Sequence, residues 1–329
     1  MHIKVSNITL YITLFAICIA GKLNAQFEVS SSQFMNTQFF LNPGYTGVQK
    51  ALNINGTARQ QWIGMEGAPK KYQIGFDSPL NNSLAGIGMG VQIEQYGPYK
   101  MNLIHANYAR LIKLSSKGFL SLGFTGSVTN YSLGLGDLDL NDPNDPMFGT
   151  DISNSFTPNI GVGAFYFTQN FYFGISMPKI LNEKPFAQED GEDNPLMRYS
   201  YISTGYLHAI NKNIAIKPAF LLQMKNSQFS YISAGGQVIF NNLLYLGVLY
   251  QTQKWVSALV NVQISNAINI GYSFDYGLEQ EYYNNYSHEI TFRYSITNLY
   301  KRNRKRDFTT KKKKRALPRE ESMKNLRNF

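Results

Sequence analysis

Cysteine is almost absent from this chain, and so is any long apolar run. The one cysteine, Cys18, falls in a short apolar stretch at the amino end. Beyond that stretch there is no thiol, which excludes disulfides, thiol nucleophiles and cysteine-ligated metals. No later segment offers the ~20 consecutive apolar residues of a membrane-crossing helix. Charge is sparse, at 16% of residues. Past the amino end the histidines are His105, His208 and His288, too scattered for the paired spacing of a zinc site. Neither a GxSxG nucleophile elbow nor an HExxH helix occurs. No nucleophile–base pair can be named, so neither an enzyme nor a cofactor is expected.

The amino end reads as a secretory leader. Lys4 gives a basic start, Ile8 to Ala20 a short apolar core, and Leu23-Asn24-Ala25 a small-residue cleavage site before Gln26. The core is too short for a comfortable membrane anchor. At the other end, residues 299–329 carry thirteen Lys and Arg against three acids. That tail accounts for the whole net charge of +10, and the rest of the chain is neutral.

What the chain does have is a two-residue rhythm and an excess of aromatics, with 22 Tyr and 22 Phe. In 268–276, Ile268, Ile270, Tyr272, Phe274 and Tyr276 alternate with Asn269, Gly271, Ser273 and Asp275. A strand puts such sets on opposite faces, one in an apolar medium and one in a polar medium. In 119–129, Leu120, Leu122, Phe124 and Val128 alternate with Ser121, Gly123, Thr125, Ser127 and Thr129. The last segment sets Ile290, Phe292, Tyr294 and Ile296 against Glu289, Thr291, Arg293 and Ser295. Fourteen such candidates fall at 53–62, 71–78, 83–96, 101–113, 118–135, 156–167, 171–180, 198–210, 215–224, 230–240, 243–251, 255–264, 268–278 and 288–296. The rhythm is weakest at 199–210, where Tyr and Ile occupy both faces.

The connections alternate in length. Every long one follows an odd-numbered strand, at 63–70, 136–155, 181–197 and 279–287; every even-numbered one is a tight turn. Short periplasmic turns and longer external loops are the habit of bacterial outer-membrane barrels. With a chain exported by a leader and no spanning helix, only a closed barrel satisfies every backbone group in lipid. The fold class expected is therefore all-β: a transmembrane antiparallel β-barrel of about 14 strands with a basic carboxy-terminal tail. A soluble all-β domain is the competing class; the leader, the strand lengths and the aromatics weigh against it. Aromatics at strand ends, such as Phe171, Tyr172 and Phe173, or Tyr282, Tyr283 and Tyr286, fit interfacial girdles.

The expected organisation is a signal peptide at 1–25, an amino-terminal periplasmic segment at 26–50, the barrel at 51–297 and a periplasmic, disordered basic tail at 298–329. Whether the lumen is open stays undecided at this point, because the chain before Asn53 could also fold in as a plug.

Three groups are candidate interaction sites. Arg59, Gln60, Gln61 and Trp62 lead into an external loop with Gly64, Gly67 and Pro69; they read equally as a shaped turn and as a contact surface for a partner protein. Lys311, Lys312, Lys313, Lys314 and Arg315 form a basic run. Behind a leader it meets anionic lipid or an acidic periplasmic protein rather than nucleic acid. Asp137, Asp139, Asn141, Asp142, Asn144, Asp145 and Asp151 crowd one external loop but lack the Gly and Glu of a calcium loop. They read as a solvated loop, and no metal site is assigned.

Several ordered blocks resemble one family. These are Asn42-Pro43-Gly44-Tyr45-Thr46-Gly47; Arg59-Gln60-Gln61-Trp62-Ile63-Gly64 with Gly67-Ala68-Pro69-Lys70; Gly86-Ile87-Gly88-Met89-Gly90 with Gly97-Pro98; Pro158-Asn159-Ile160-Gly161-Val162-Gly163; Tyr172-Phe173-Gly174-Ile175-Ser176; Gly271-Tyr272-Ser273-Phe274-Asp275-Tyr276; and Ser287-His288-Glu289. Together they are similar to the PorP/SprF outer-membrane proteins of the type IX secretion system. The resemblance implies an integral outer-membrane component that serves as adapter or anchor for an exported cell-surface protein of the gliding-adhesin kind. The partners it implies are that exported protein and periplasmic ring or lipoprotein components, alongside outer-membrane lipid. A porin or a small hydrophobic-solute channel is the alternative.

Overall fold

The computed structural model describes residues 31–80, 84–134, 152–181, 198–278 and 285–296. Alternation becomes strand at β1 (Leu52–Gln60), β2 (Lys70–Pro79), β3 (Ala85–Tyr96), β4 (Tyr99–Lys113) and β5 (Phe119–Leu133). Then come β6 (Ile152–Phe167), β7 (Phe171–Met177), β8 (Tyr199–Tyr206), β9 (His208–Ala209) and β10 (Ile214–Lys225). The series ends with β11 (Gln228–Phe240), β12 (Leu244–Gln251), β13 (Trp255–Gln263), β14 (Ile268–Gly277) and β15 (Tyr286–Ile296).

Each strand pairs antiparallel with the next, and β1 closes the sheet on β15, with Leu52 opposite Ile296 and Gln60 opposite His288. β8 and β9 both pair with β10 and form one stave interrupted at Leu207. The barrel thus has the fourteen staves expected, closed and antiparallel. Closure leaves no sheet edge to satisfy in lipid.

The connections sort to the two ends as their lengths predicted. The chain leaves and re-enters the sheet at one end, here the loop end, between β1 and β2, β5 and β6, β7 and β8, and β14 and β15, and three short hairpins lie at the same end. At the opposite, turn end no connection exceeds five residues. Asn241 and Asn242, at φ 52° and 54°, make one of its hairpin turns; Asn tolerates this left-handed geometry, which matches the strand twist.

The two faces invert a soluble protein. On β5, Leu122, Phe124 and Val128 are 46–48% exposed, while Ser121, Thr125, Ser127 and Thr129 are buried in the lumen. β14 and β15 follow the same rule, with Asn269, Ser273, Asp275, Glu289 and Thr291 inward. Outward apolar rows meet lipid, and inward polar rows meet the lumen contents.

Those contents are the chain itself. Residues 31–50 were expected as a periplasmic segment, with a plug as the other possibility. They run inside the barrel, through a one-turn helix at Gln38–Leu41 and a 3-10 turn at Pro43–Tyr45. Two apolar clusters join this plug to the wall: Phe34 and Met35 against Tyr201, Leu221, Tyr231, Leu249 and Leu259, and Phe39 and Tyr45 beside Phe165, Phe167 and Tyr172. Tyr172 is therefore core and not girdle, while its neighbours Phe171 and Phe173 lie on the opposite, outward face of the strand. The blurred rhythm at 199–210 has the same origin. Tyr201 and Leu207 point inward because they pack with apolar residues inside the lumen, so the polar row is broken there.

Candidate functional site: the plugged lumen

The plug is held at three levels. Near the loop end, Arg59 lies buried between Asp275 and Glu289. Its Nη1 donates to both carboxylates, to Glu289 at 3.1 Å, and to Ser32 Oγ at 3.2 Å. Ser32 answers with its backbone N–H on Glu289 Oε2 at 2.9 Å and its hydroxyl on Asp275 Oδ2 at 2.7 Å. Ser31 Oγ donates to the other oxygen of Glu289, and Ser257 Oγ to Ser32 Oγ. One cation and two anions out of water are tolerable only when the remaining lone pairs are filled, and here the plug's serines help fill them.

In the middle, Asn36 donates to Asn261 Oδ1 at 2.9 Å, and Ser203 Oγ donates to Gln38 Oε1 at 3.1 Å. Towards the turn end the contact becomes backbone against backbone. Asn42 Nδ2 donates to the carbonyls of Ala164 and Ile175, while its Oδ1 takes the Gly44 N–H at 2.8 Å. The wall opposite is glycine. A Cβ on Gly163 would stand 2.1 Å from Asn42 Oδ1, and one on Gly123 2.2 Å from the Pro43 carbonyl carbon. Gly86 touches Thr46 and Gly47 in the same way. Glycine within a strand marks such a close approach of another backbone. Gly47, at φ +73°, donates its N–H to Asp77 Oδ2 at 3.0 Å.

These contacts account for the sequence blocks. Asn42-Pro43-Gly44-Tyr45-Thr46-Gly47 meets Gly86, Gly163 and Gly174, each from another block; Arg59, Asp275 and Glu289, from three further blocks, converge on Ser31 and Ser32. Sequence reading separated these blocks because they are far apart along the chain. The glycines at inward-facing strand positions were the available signal.

Arg59 was a candidate for external contact; it is instead 4% exposed and committed to the plug. Gln60 ends β1, and Gln61 is buried with its N–H on the Pro69 carbonyl at 2.9 Å. Trp62, at φ 45°, donates its N–H to Ser287 Oγ. Gly64 and Gly67 are exposed at φ 91° and 70°, and Pro69 is buried. Of that set, Gly64 and Gly67 are the members that the loop presents to the outside. Lys311 to Arg315 and the acidic loop lie outside the described residues.

Between the plug and β2 to β5, β8, β10 and β11 there remains a vestibule of about 380 Å³. Its floor is apolar, with Phe34, Phe39, Phe40 and Leu221. Its wall is rich in tyrosine: Tyr96 and Tyr99 stack at 4.3 Å, Tyr131 lies 6.0 Å from Tyr99, and Tyr199, Tyr201 and Tyr231 complete the set. Lys179 Nζ reaches Thr129 Oγ1 at 3.0 Å and the Tyr131 hydroxyl at 3.1 Å, and Lys71 pairs with Glu94 at 2.8 Å.

The histidines do not assemble into a site. His105 packs in the lumen against Phe39 and Phe40, while His288 lies beside Tyr272 and Phe274. Among the described residues no group of three or more His, Cys, Asp or Glu is placed to hold a metal.

No curated protein matches the chain. Solved structures similar to it include the CymD monoaromatic hydrocarbon channel, at 13% identity and TM-score 0.48 over 83% of this chain and 95% of that one. The Ralstonia pickettii toluene transporter TbuX shows 10% identity and TM-score 0.45, over 81% and 94%. The P. putida toluene transporter TodX shows 11% and 0.43, also over 81% and 94%. The family model described as type IX secretion system membrane protein PorP/SprF matches residues 23–294, nearly the whole barrel together with its plug. On that match, the chain belongs to the PorP/SprF family of type IX secretion system membrane proteins.

Proposed function

We propose that this protein is a non-enzymatic adapter in the outer membrane. It anchors an exported cell-surface protein of the gliding-adhesin kind at the loop end and links it to periplasmic ring or lipoprotein components at the turn end. The observation that carries this reading is the filled lumen. Residues 31–50 occupy the space through which a solute would pass, and they are fixed by buried ions at one level and by glycine contacts at another. A barrel closed in this way has its two ends to offer as surfaces. The exposed loop around Gly64 and Gly67 belongs to the external surface. The basic run Lys311 to Arg315, continuing from the turn-end terminus of β15, would meet anionic lipid or an acidic partner on the other side.

Loss of the gene should leave general export working and remove one or a few displayed surface proteins from the surface proteome. An unchanged surface proteome together with impaired uptake of small solutes would favour the channel reading instead. Planar-bilayer recording gives a second, direct test. The intact barrel should show no steady conductance, and a variant lacking 31–48 should open. Ohmic steps from the intact protein would refute the adapter assignment in this form.

A further inference from the structure

The plug has a direction. Gly47 bonds to Asp77 near the turn end, Asn42 to Ala164 and Ile175, Asn36 to Asn261, and Ser32 to Asp275 near the loop end. Read backwards from β1, the chain climbs the barrel from the turn end towards the loop end. Ser31, the first described residue, stands in the lining of the vestibule. Whatever precedes Ser31 therefore begins inside that space.

Cleavage before Gln26 leaves five residues ahead of Ser31: Gln26-Phe27-Glu28-Val29-Ser30. We propose that this segment, the chain's own mature amino end, is the occupant of the vestibule, and that the amino terminus lies on the outer side of the membrane. Reach supports the placement. Five extended residues span about 17 Å, whereas the nine residues of β1 alone span about 30 Å. The segment is too short to double back to the periplasm through a lumen its own plug already fills.

Its chemistry suits the cavity. In an extended chain Phe27 and Val29 share one side and Gln26, Glu28 and Ser30 the other. The first pair matches the apolar surface of Phe34, Tyr201, Leu221 and Tyr231. Glu28 is complementary in charge to Lys71 and Lys179 in the lining. Tyrosines offer hydroxyls to the backbone and rings to the side chains, at little cost in side-chain entropy. An external ligand would have to displace this segment before using the vestibule. The occupancy itself holds whether or not the adapter reading does.

Mass spectrometry of the outer-membrane form should find Gln26 as the first residue. An intact leader, or a start at or beyond Ser31, overturns the proposal. In the full-length barrel, photoreactive benzoylphenylalanine at position 27 should cross-link to peptides carrying Tyr201, Leu221 or Tyr231. Cross-links confined to turn-end peptides such as 80–84, or none at all, overturn it. Finally, a barrel lacking residues 26–30, shown to be folded by heat modifiability, should bind a labelled Gln-Phe-Glu-Val-Ser peptide saturably. The expected affinity is at least about ten-fold above that of the intact barrel, with a loss of similar size when the peptide's Phe is Ser or its Glu is Lys. Equal binding by both barrels, or none by the truncated one, counts against the proposal.

Discussion

Arg59→Met tests whether the buried ion cluster seats the plug. The substitution keeps most of the side-chain volume and removes the cation that, among the described residues, bonds to Asp275 and Glu289, both about 1% exposed. Ser31, Ser32 and Ser257 cannot replace a charge. Removing one partner of a buried ionic group costs ~3–5 kcal/mol, because the surviving charges stay desolvated without compensation. Spread over the plug equilibrium, that is roughly two to four orders of magnitude in favour of the released state. The barrel itself need not unfold, since its strand ladders do not pass through Arg59's side chain. The assay is limited proteolysis of detergent-purified barrel, read at residues 31–50 by mass spectrometry, alongside heat modifiability of the barrel. Cleavage in the plug should appear in Arg59→Met with the barrel still folded. It should diminish in the triple variant that also carries Asp275→Asn and Glu289→Gln, where no charge is left buried. If Arg59→Met resists protease as well as the parent does, the plug is not seated by this cluster. If the triple variant is worse than the single one, stranded charge is not the cause.

Three other outcomes follow from the same geometry. Gly123→Val should block seating of the Asn42–Gly47 turn, since even a Cβ would lie 2.2 Å from the plug backbone; overpacking of this kind costs ~1–3 kcal/mol, read by the same proteolysis, whereas Gly126→Val, with nothing within 4 Å of its Cβ, should be neutral. Phe124→Arg, on the lipid face, should impair assembly by ~2–4 kcal/mol, and Thr125→Arg, on the lumen face beside the vestibule, by less; equal heat modifiability of the two would reject the assigned faces. Single cysteines at Asp142 or Asp190 should react with an impermeant maleimide on intact cells and one at Asn211 should not, and the reverse pattern would turn the barrel over.

The wall of this protein was legible and its contents were not. β5, β14 and β15 could be read residue by residue, because lipid on one side and polar lumen on the other impose a strict period of two on the side chains. The alternating segments set the strand count, the parity of connection lengths agreed with an even number, and the lack of a spanning helix required closure. Residues 31–50 carry no period, since a plug follows the irregular shape of the space it fills. Their partners lie as many as 258 positions away, as Ser31 does from Glu289. Arg59 illustrates the error this produces. Its place next to Trp62 and a glycine-rich loop resembled an external contact site, yet alternation along β1 already put its side chain on the inward face with Asn53, Asn55 and Thr57. The inward glycines 86, 123 and 163 were the clearest trace of the plug, since a strand gives up side chains there for nothing it gains within the sheet.

The ion cluster also bears on how the protein is made. The plug is made before any strand, but its carboxylate partners Asp275 and Glu289 arrive with the last two strands. Until β15 meets β1, Arg59 has no counter-ion and Ser31 and Ser32 have no acceptors. A part of the chain that precedes every strand is thus satisfied last, at a long loop-closure distance that only the finished ring of staves can bridge. Sealing of the lumen therefore waits on closure: a barrel missing its final strands lacks both carboxylates that hold Arg59, Ser31 and Ser32.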